Sequence, residues 1–157
     1  MDTRMSTYES TFRDDWAPAD AADFRAIADL TIAYAWAIDS REFECLRRVF
    51  LANATAHLGE YYEGLDAIIG KIDSALTPLD ASQHLVANHQ VRVNGGEASS
   101  RCYFQAQHVR NGVDGGANFI IAGRYEDELV RTRDGWRIKH RSLRRDWSDG
   151  NFNVVRR

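Results

Sequence analysis

The stretch SQHLVANHQVRVNGGEASSRCYFQAQHVRNGVDGGANFIIAGRYEDELVRTRDGWRIKHRSLRRDW, residues 82–147, decides the fold. Its punctuation falls at hairpin intervals: Asn94-Gly95-Gly96, Asn111-Gly112 through Gly115-Gly116, and Asp134-Gly135. These are residues that tolerate the backbone of tight turns, so four long antiparallel strands are predicted, at roughly 82–94, 97–110, 117–132 and 135–147. Strand alternation then assigns faces. Ala98, Cys102, Phe104 and Ala106 share one with His108, and Phe119, Ile121, Tyr125 and Leu129 share a face of the next strand.

Upstream of these strands the period changes. Phe24, Ile27, Thr31, Tyr34 and Ile38 recur at helical spacing, with Asp20 placed to cap and Asp23 in the first turn, where the helix dipole favours an acid. This first helix ends near Asp39. A short second helix is expected from Arg41 to Phe50, with Phe43, Leu46, Val49 and Phe50 inward. A strand over Ala54 to Leu58 follows, and Tyr61, Tyr62 and Gly64 turn the chain into a third helix, Leu65 to Leu76, closed by Pro78. Three helices ahead of a meander of long strands give an α+β class, with the helices packed on one face of a curved, mostly antiparallel sheet. Residues 1–19 show no sustained periodicity and contain Pro18. They are expected to form an N-terminal arm, with Phe12 and Trp16 docked on a neighbouring surface, ahead of a single domain over residues 20–157.

The 157 residues suffice for one core and an internal cavity. A net charge of −3 gives no excess of positive charge for phosphate backbones, which argues against nucleic acid as a partner. Cys45 and Cys102 are the only cysteines and stand in no metal-ligand spacing, so no metal is expected. No apolar run reaches the length of a membrane span and no leader pattern opens the chain, so a cytoplasmic protein with no membrane partner is expected.

Asp39 is the first residue that points to chemistry, because it closes the apolar run Tyr34-Ala-Trp-Ala-Ile38 at a helix C-terminus, where the dipole disfavours a carboxylate. Either it is a solvated acid at the start of a loop, or another group compensates it. His84, in Ser-Gln-His-Leu-Val-Ala-Asn, taken alone reads as an ordinary hydrogen-bonded histidine. Paired with a buried carboxylate, its ring gains a fixed tautomer and its free nitrogen becomes a better base. His108, on the apolar face of its strand, must find a partner or line a cavity. His57 falls on a short edge-like strand, His89 has the opposite parity from His84, and His140 joins a basic surface. Tyr34 and Tyr62 offer phenols to a substrate oxygen or pack as plain core. Arg144, expected with Ser142 on the face of Trp136 and Ile138, holds a negative charge or else guards a solvated strand edge.

Several pieces together resemble the SnoaL-like branch of the nuclear-transport-factor-2-like superfamily: Tyr34-Ala-Trp-Ala-Ile-Asp39, the Tyr62-Glu-Gly64 turn, Gln83-His84-Leu-Val-Ala-Asn88, Val-Asn-Gly-Gly-Glu-Ala98 and Arg133-Asp-Gly-Trp-Arg-Ile138. The resemblance implies a cone-shaped barrel in which the three helices and the strongly curved sheet enclose a pocket. Within that superfamily the Asp39 and His84 positions resemble the dyad of lindane dehydrochlorinase, scytalone dehydratase and bile-acid 7α-dehydratase. Tyr34 resembles a tyrosine of the bile-acid enzyme, and His108 falls near a second histidine of scytalone dehydratase. What this implies is a cofactor-independent lyase acting on a mostly apolar cyclic substrate. His84 would remove a proton, Asp39 would stabilise the imidazolium, and Tyr34 or His108 would assist the leaving oxygen. Arg144, Tyr62, Phe104 and Tyr125 would contact the substrate. An isomerase or cyclase, or a non-catalytic ligand-binding or dioxygenase-type subunit, is the alternative the fold also allows. A homo-oligomer, trimer or dimer, is expected.

Overall fold

The computed structural model describes residues 9–156. Helix α1, Ala21–Asp39, starts where the Asp20 carboxylate accepts the Asp23 amide at 2.8 Å. Ile27, Thr31, Tyr34 and Ile38 form its buried face, while Phe24 stands on the flank. Asp23 accepts hydrogen bonds from the Trp136 indole (2.9 Å) and the Arg131 guanidinium (2.7 Å), which hold its carboxyl below the usual range and tie the helix start to the last hairpin. Helix α2, Leu65–Leu76, buries Leu65, Ile68, Ile72 and Leu76 at helical spacing. The segment expected as the second helix forms only a 3-10 turn, Phe43–Arg48. It stops there because the sheet claims the residues beyond: the Val49 carbonyl already accepts the Ile138 amide at 2.9 Å, and Phe50 belongs to a strand.

The strands are β1 (Ala17–Pro18), β2 (Phe50–His57), β3 (Tyr61–Glu63), β4 (Ala81–Asn94), β5 (Glu97–Val109), β6 (Asn118–Thr132) and β7 (Gly135–Gly150). They form one sheet in the order β1-β4-β5-β6-β7-β2-β3, antiparallel except where β2 runs parallel to β7. The three helical segments pack on this curved sheet, whose outermost strands β1 and β3 do not join, so the cone stays open. Ala98, Cys102, Phe104, Ala106 and His108 are all buried on the inner face. The chain ahead of α1 lies against the outer face. There Glu126 accepts from the Ser10 hydroxyl (2.9 Å) and the Thr11 amide (2.8 Å), Ser99 accepts the Arg13 amide (3.1 Å), and Arg101 covers the ring of buried Phe12. Residues 1–8 of the expected arm lie outside the described residues.

Three β-bulges redirect side chains. In β4, Asn88 and His89 together oppose Cys102, with Asn88 at φ +60°. In β7, Lys139 is the extra residue between Ile138, paired with Leu129, and His140, paired with Glu128. Asp146 is a second extra residue, between Arg145 and Trp147, opposite Gly123 and Ala122. Only glycine fits at 123, because a Cβ there would sit 1.9 Å from the Arg144 carbonyl oxygen.

Inside the sheet, Arg141 donates two hydrogen bonds to Asp127, at 2.8 and 2.7 Å, with both side chains sealed from solvent. The guanidinium lies 4.3 Å from the ring centres of both Tyr34 and Tyr125. Burial works against its charge, but the Asp127 carboxylate outweighs burial and keeps Arg141 protonated. Removing one member strands the other's charge in the core. Arg141→Met is therefore expected to cost about 3–5 kcal/mol in urea unfolding, and Asp127→Leu combined with Arg141→Met is expected to recover a large part of that loss.

Candidate active site

The last turn of α1 and the first residues of β4 meet at Asp39. Its Oδ1 accepts from the Ser82 hydroxyl at 2.8 Å and the His84 ring Nδ1 at 2.7 Å, and its Oδ2 accepts the His84 backbone amide at 2.7 Å. Burial raises the carboxyl pKa, but the hydrogen bonds from the His84 ring and amide and from Ser82 outweigh it, and the net shift is downward. Asp39 is thus a carboxylate, able only to accept. The proton between the two groups sits on Nδ1, which leaves the lone pair of a neutral ring on Nε2. The unfavourable helix dipole is met by Arg41, in a left-handed backbone conformation at φ +61°. Its Nη1 donates to the Ile38 and Asp39 carbonyls (2.9 and 3.2 Å) and to Ser82 Oγ (2.8 Å).

His84, with only 7% of its side chain exposed, lines a cavity of about 450 Å³ between the helices and the inner face of the sheet. That volume is in the range of small-molecule sites. Tyr34 and Ile38 reach it from successive turns of α1, so the tyrosine enters the cavity while Asp39 braces His84 from behind. Phe104 and Tyr125 stack at 4.5 Å on another wall, and Tyr34 meets Tyr125 edge-on at 5.7 Å. Burial raises both phenols above their ordinary pKa, Tyr125 most, so both remain hydroxyl donors. His108 lines the cavity beside His84, ring centres 5.9 Å apart and nearly perpendicular. Burial first, then the neighbouring His84, lowers its pKa, and its buried Nδ1 has no hydrogen-bond partner. Two imidazoles lining one cavity, one of them braced by a carboxylate, can move a proton on and off a bound molecule. Among the described residues no group of three or more His, Cys, Asp and Glu is placed to hold a metal ion.

Two expected contacts fall elsewhere. The Lys139 bulge reverses parity along β7, so that Arg141, Leu143 and Arg145 turn inward while Arg144 points out and pairs with Asp146 at 3.1 Å. Arg145, not Arg144, lines the cavity. Tyr62 belongs to β3 and its hydroxyl donates to Glu60 at 3.1 Å, outside the cavity lining. The Asn88 bulge likewise overturns the parity argument about His89, which packs against α1 with its Nε2 2.5 Å from the Thr31 hydroxyl. Lys71 of α2 is a further lining residue, which nothing in the local sequence sets apart from an ordinary polar position on a helix.

Residues 19–142 match the model of the SnoaL-like domain. The chain belongs to the SnoaL-like family. An uncharacterised protein of Mycobacterium tuberculosis is 34% identical over 130 residues, spanning 78% of this chain and 85% of the relative. Terrestric acid biosynthesis cluster protein E of Penicillium crustosum is 31% identical over 140 residues, 85% and 89% of the two chains. Among solved structures, Kfla4162 of Kribbella flavida superposes with a TM-score of 0.81 at 25% identity, covering 88% of this chain and all of that one. A hexachlorocyclohexane dehydrochlorinase shares the fold of this SnoaL-like chain at a TM-score of 0.73 and 18% identity, over 83% of this chain and 89% of its own. A Novosphingobium aromaticivorans protein provisionally assigned as a scytalone dehydratase does so at 0.74 and 22%, over 83% and 88%.

The hydrogen bonds at Asp39 stabilise the SnoaL-like fold only while the carboxylate is charged. Its pKa is depressed on folding, so that contribution is present above the unfolded value near 3.8 and fades as pH falls below it. The stability gap between the wild type and Asp39→Asn, read from urea midpoints, is expected to be wide at about pH 6 and to shrink by about pH 3.

Proposed function

We propose that this protein is a cofactor-independent lyase that eliminates water or a related leaving group from a mostly apolar, cyclic molecule. The observation that carries the proposal is the His84 ring, held by Asp39 through Nδ1 and facing an open, largely apolar cavity through its other nitrogen. Nε2 takes a proton from a substrate carbon, the bonding pair forms a double bond, and the leaving group departs from the adjacent carbon. Asp39 holds the imidazolium that results. The leaving oxygen takes a proton from the Tyr34 phenol, directly or with His108 as the relay, and the proton gained by His84 then returns to the phenolate, so that water is released and every group is restored. The family match and a fold shared with a dehydrochlorinase support a lyase or cyclase chemistry. A vestigial, non-catalytic site would be expected to have filled with side chains, and a cavity of about 450 Å³ speaks against that.

Replacing His84 with Gln is expected to lower turnover of an identified substrate by about 10²–10⁴-fold with the fold retained by circular dichroism, and Tyr34→Phe by a smaller factor. Near wild-type turnover by His84→Gln would end the proposal. Product mass separates elimination, which loses a water or a halide acid, from isomerisation, which conserves mass. Leu85, Tyr103 and Trp147 stand exposed on the sheet, and we propose that they serve self-association. Light scattering is expected to report a dimer or trimer, and a monomer alone would refute this.

A further inference from the structure

Resting on the reading of this cavity as a substrate site, we propose that the molecule it accepts carries one anionic oxygen group, a carboxylate or a phosphate. That group is held at the cavity mouth by Arg145 of β7 and Lys71 of α2, while the ring body lies against Phe104 and Tyr125. Arg145 and Lys71 are the only ionic side chains among the residues lining the cavity besides its histidines, and no Asp or Glu lines it. Neither has an acid within ion-pairing distance among the described residues, although the chain is rich in acids and the neighbours of Arg145 are paired: Arg124 and Arg144 both reach Asp146 at 3.1 Å. The Lys71 ammonium lies 5.9 Å from the centre of the Tyr62 ring, on the rim that Lys71 shares with Glu60, and is not ion-paired with that carboxylate.

The other polar groups of the cavity leave this positive charge unopposed. Asp39 turns both its oxygens to His84 and Ser82. The Tyr34 and Tyr125 phenols are kept un-ionised by burial. Two cations on the lining of one cavity, with no carboxylate on that lining, favour an anion there, and Arg145 adds a planar donor fork suited to two oxygens of one group. Arg145 is solvent-exposed and Lys71 half-buried, as groups at the entrance of a cavity are, whereas Tyr34 is buried.

Binding of 2-naphthoate and of its uncharged isostere 2-naphthamide, measured by calorimetry on the full chain, tests this directly. Naphthoate is expected to bind about tenfold tighter than the amide, and Arg145→Gln combined with Lys71→Gln is expected to erase that preference while leaving the amide affinity within about twofold. A run with 2-naphthyl phosphate names the group, since whichever anion binds tighter is the one the pair is built for. Equal affinity of acid and amide for the unaltered protein, no saturable binding of either, or a preference that survives the double substitution would overturn the inference. Because turnover is not read, a lost charge preference sinks this inference alone. Conversely, intact preference together with an active His84→Gln variant would sink the catalytic proposal alone.

Discussion

A single carboxylate at a helix terminus organises the rest. Asp39 receives three hydrogen bonds, from Ser82 Oγ, the His84 amide and the His84 ring, and so joins the end of α1 to the start of β4. A helix C-terminus repels negative charge, so the arrangement holds only because Arg41 folds back over the final carbonyls and reaches Ser82 as well. The strand cannot slip relative to the helix without breaking the amide bond to Oδ2, and the ring cannot rotate without breaking the bond to Oδ1. Backbone register and ring tautomer are fixed by the same atoms.

The second constraint lies deeper. An ion pair sealed from water, Asp127 with Arg141, carries Tyr34 and Tyr125 on its guanidinium plane. Aromatic faces solvate the cation where water cannot, and the cation in turn fixes the rings that form the cavity wall. The polar wall around His84 and His108 and the stacked wall of Phe104 and Tyr125 are thus anchored by separate interactions, so a change in one need not loosen the other.

Hairpin punctuation and strand alternation made the sheet legible in the sequence, and the inner face of β5 follows from simple parity through Ala98, Cys102, Phe104, Ala106 and His108. Asp39 stood out because its charge conflicts with the helix end it occupies, and that conflict has a visible resolution. Parity failed wherever a bulge intervened. Alternation counted from Trp136 puts Arg144 inward, whereas Lys139 takes an extra place and brings Arg145 in. Counting from His84 puts His89 outward, whereas Asn88 shifts the count and seats His89 against Thr31. A bulge is set by pairing with a neighbouring strand, which local sequence does not encode. The 3-10 turn at Phe43–Arg48 has a similar origin, since helical periodicity there yields to a parallel strand contact made by distant residues. Tyr62 reads locally as part of a turn, yet it pairs with Ala56 in an edge strand for the same reason.

The Lys139 bulge also bears on how such a cavity diversifies. Point substitution alters one lining group at a time. Loss or gain of a single residue at a bulge, by contrast, would exchange the whole inner set of the strand's second half for the outer one, trading Arg141, Leu143 and Arg145 for their neighbours in one genetic event. A one-residue change of length at this point would thus let a nearly unchanged backbone present unlike chemistry to what it encloses.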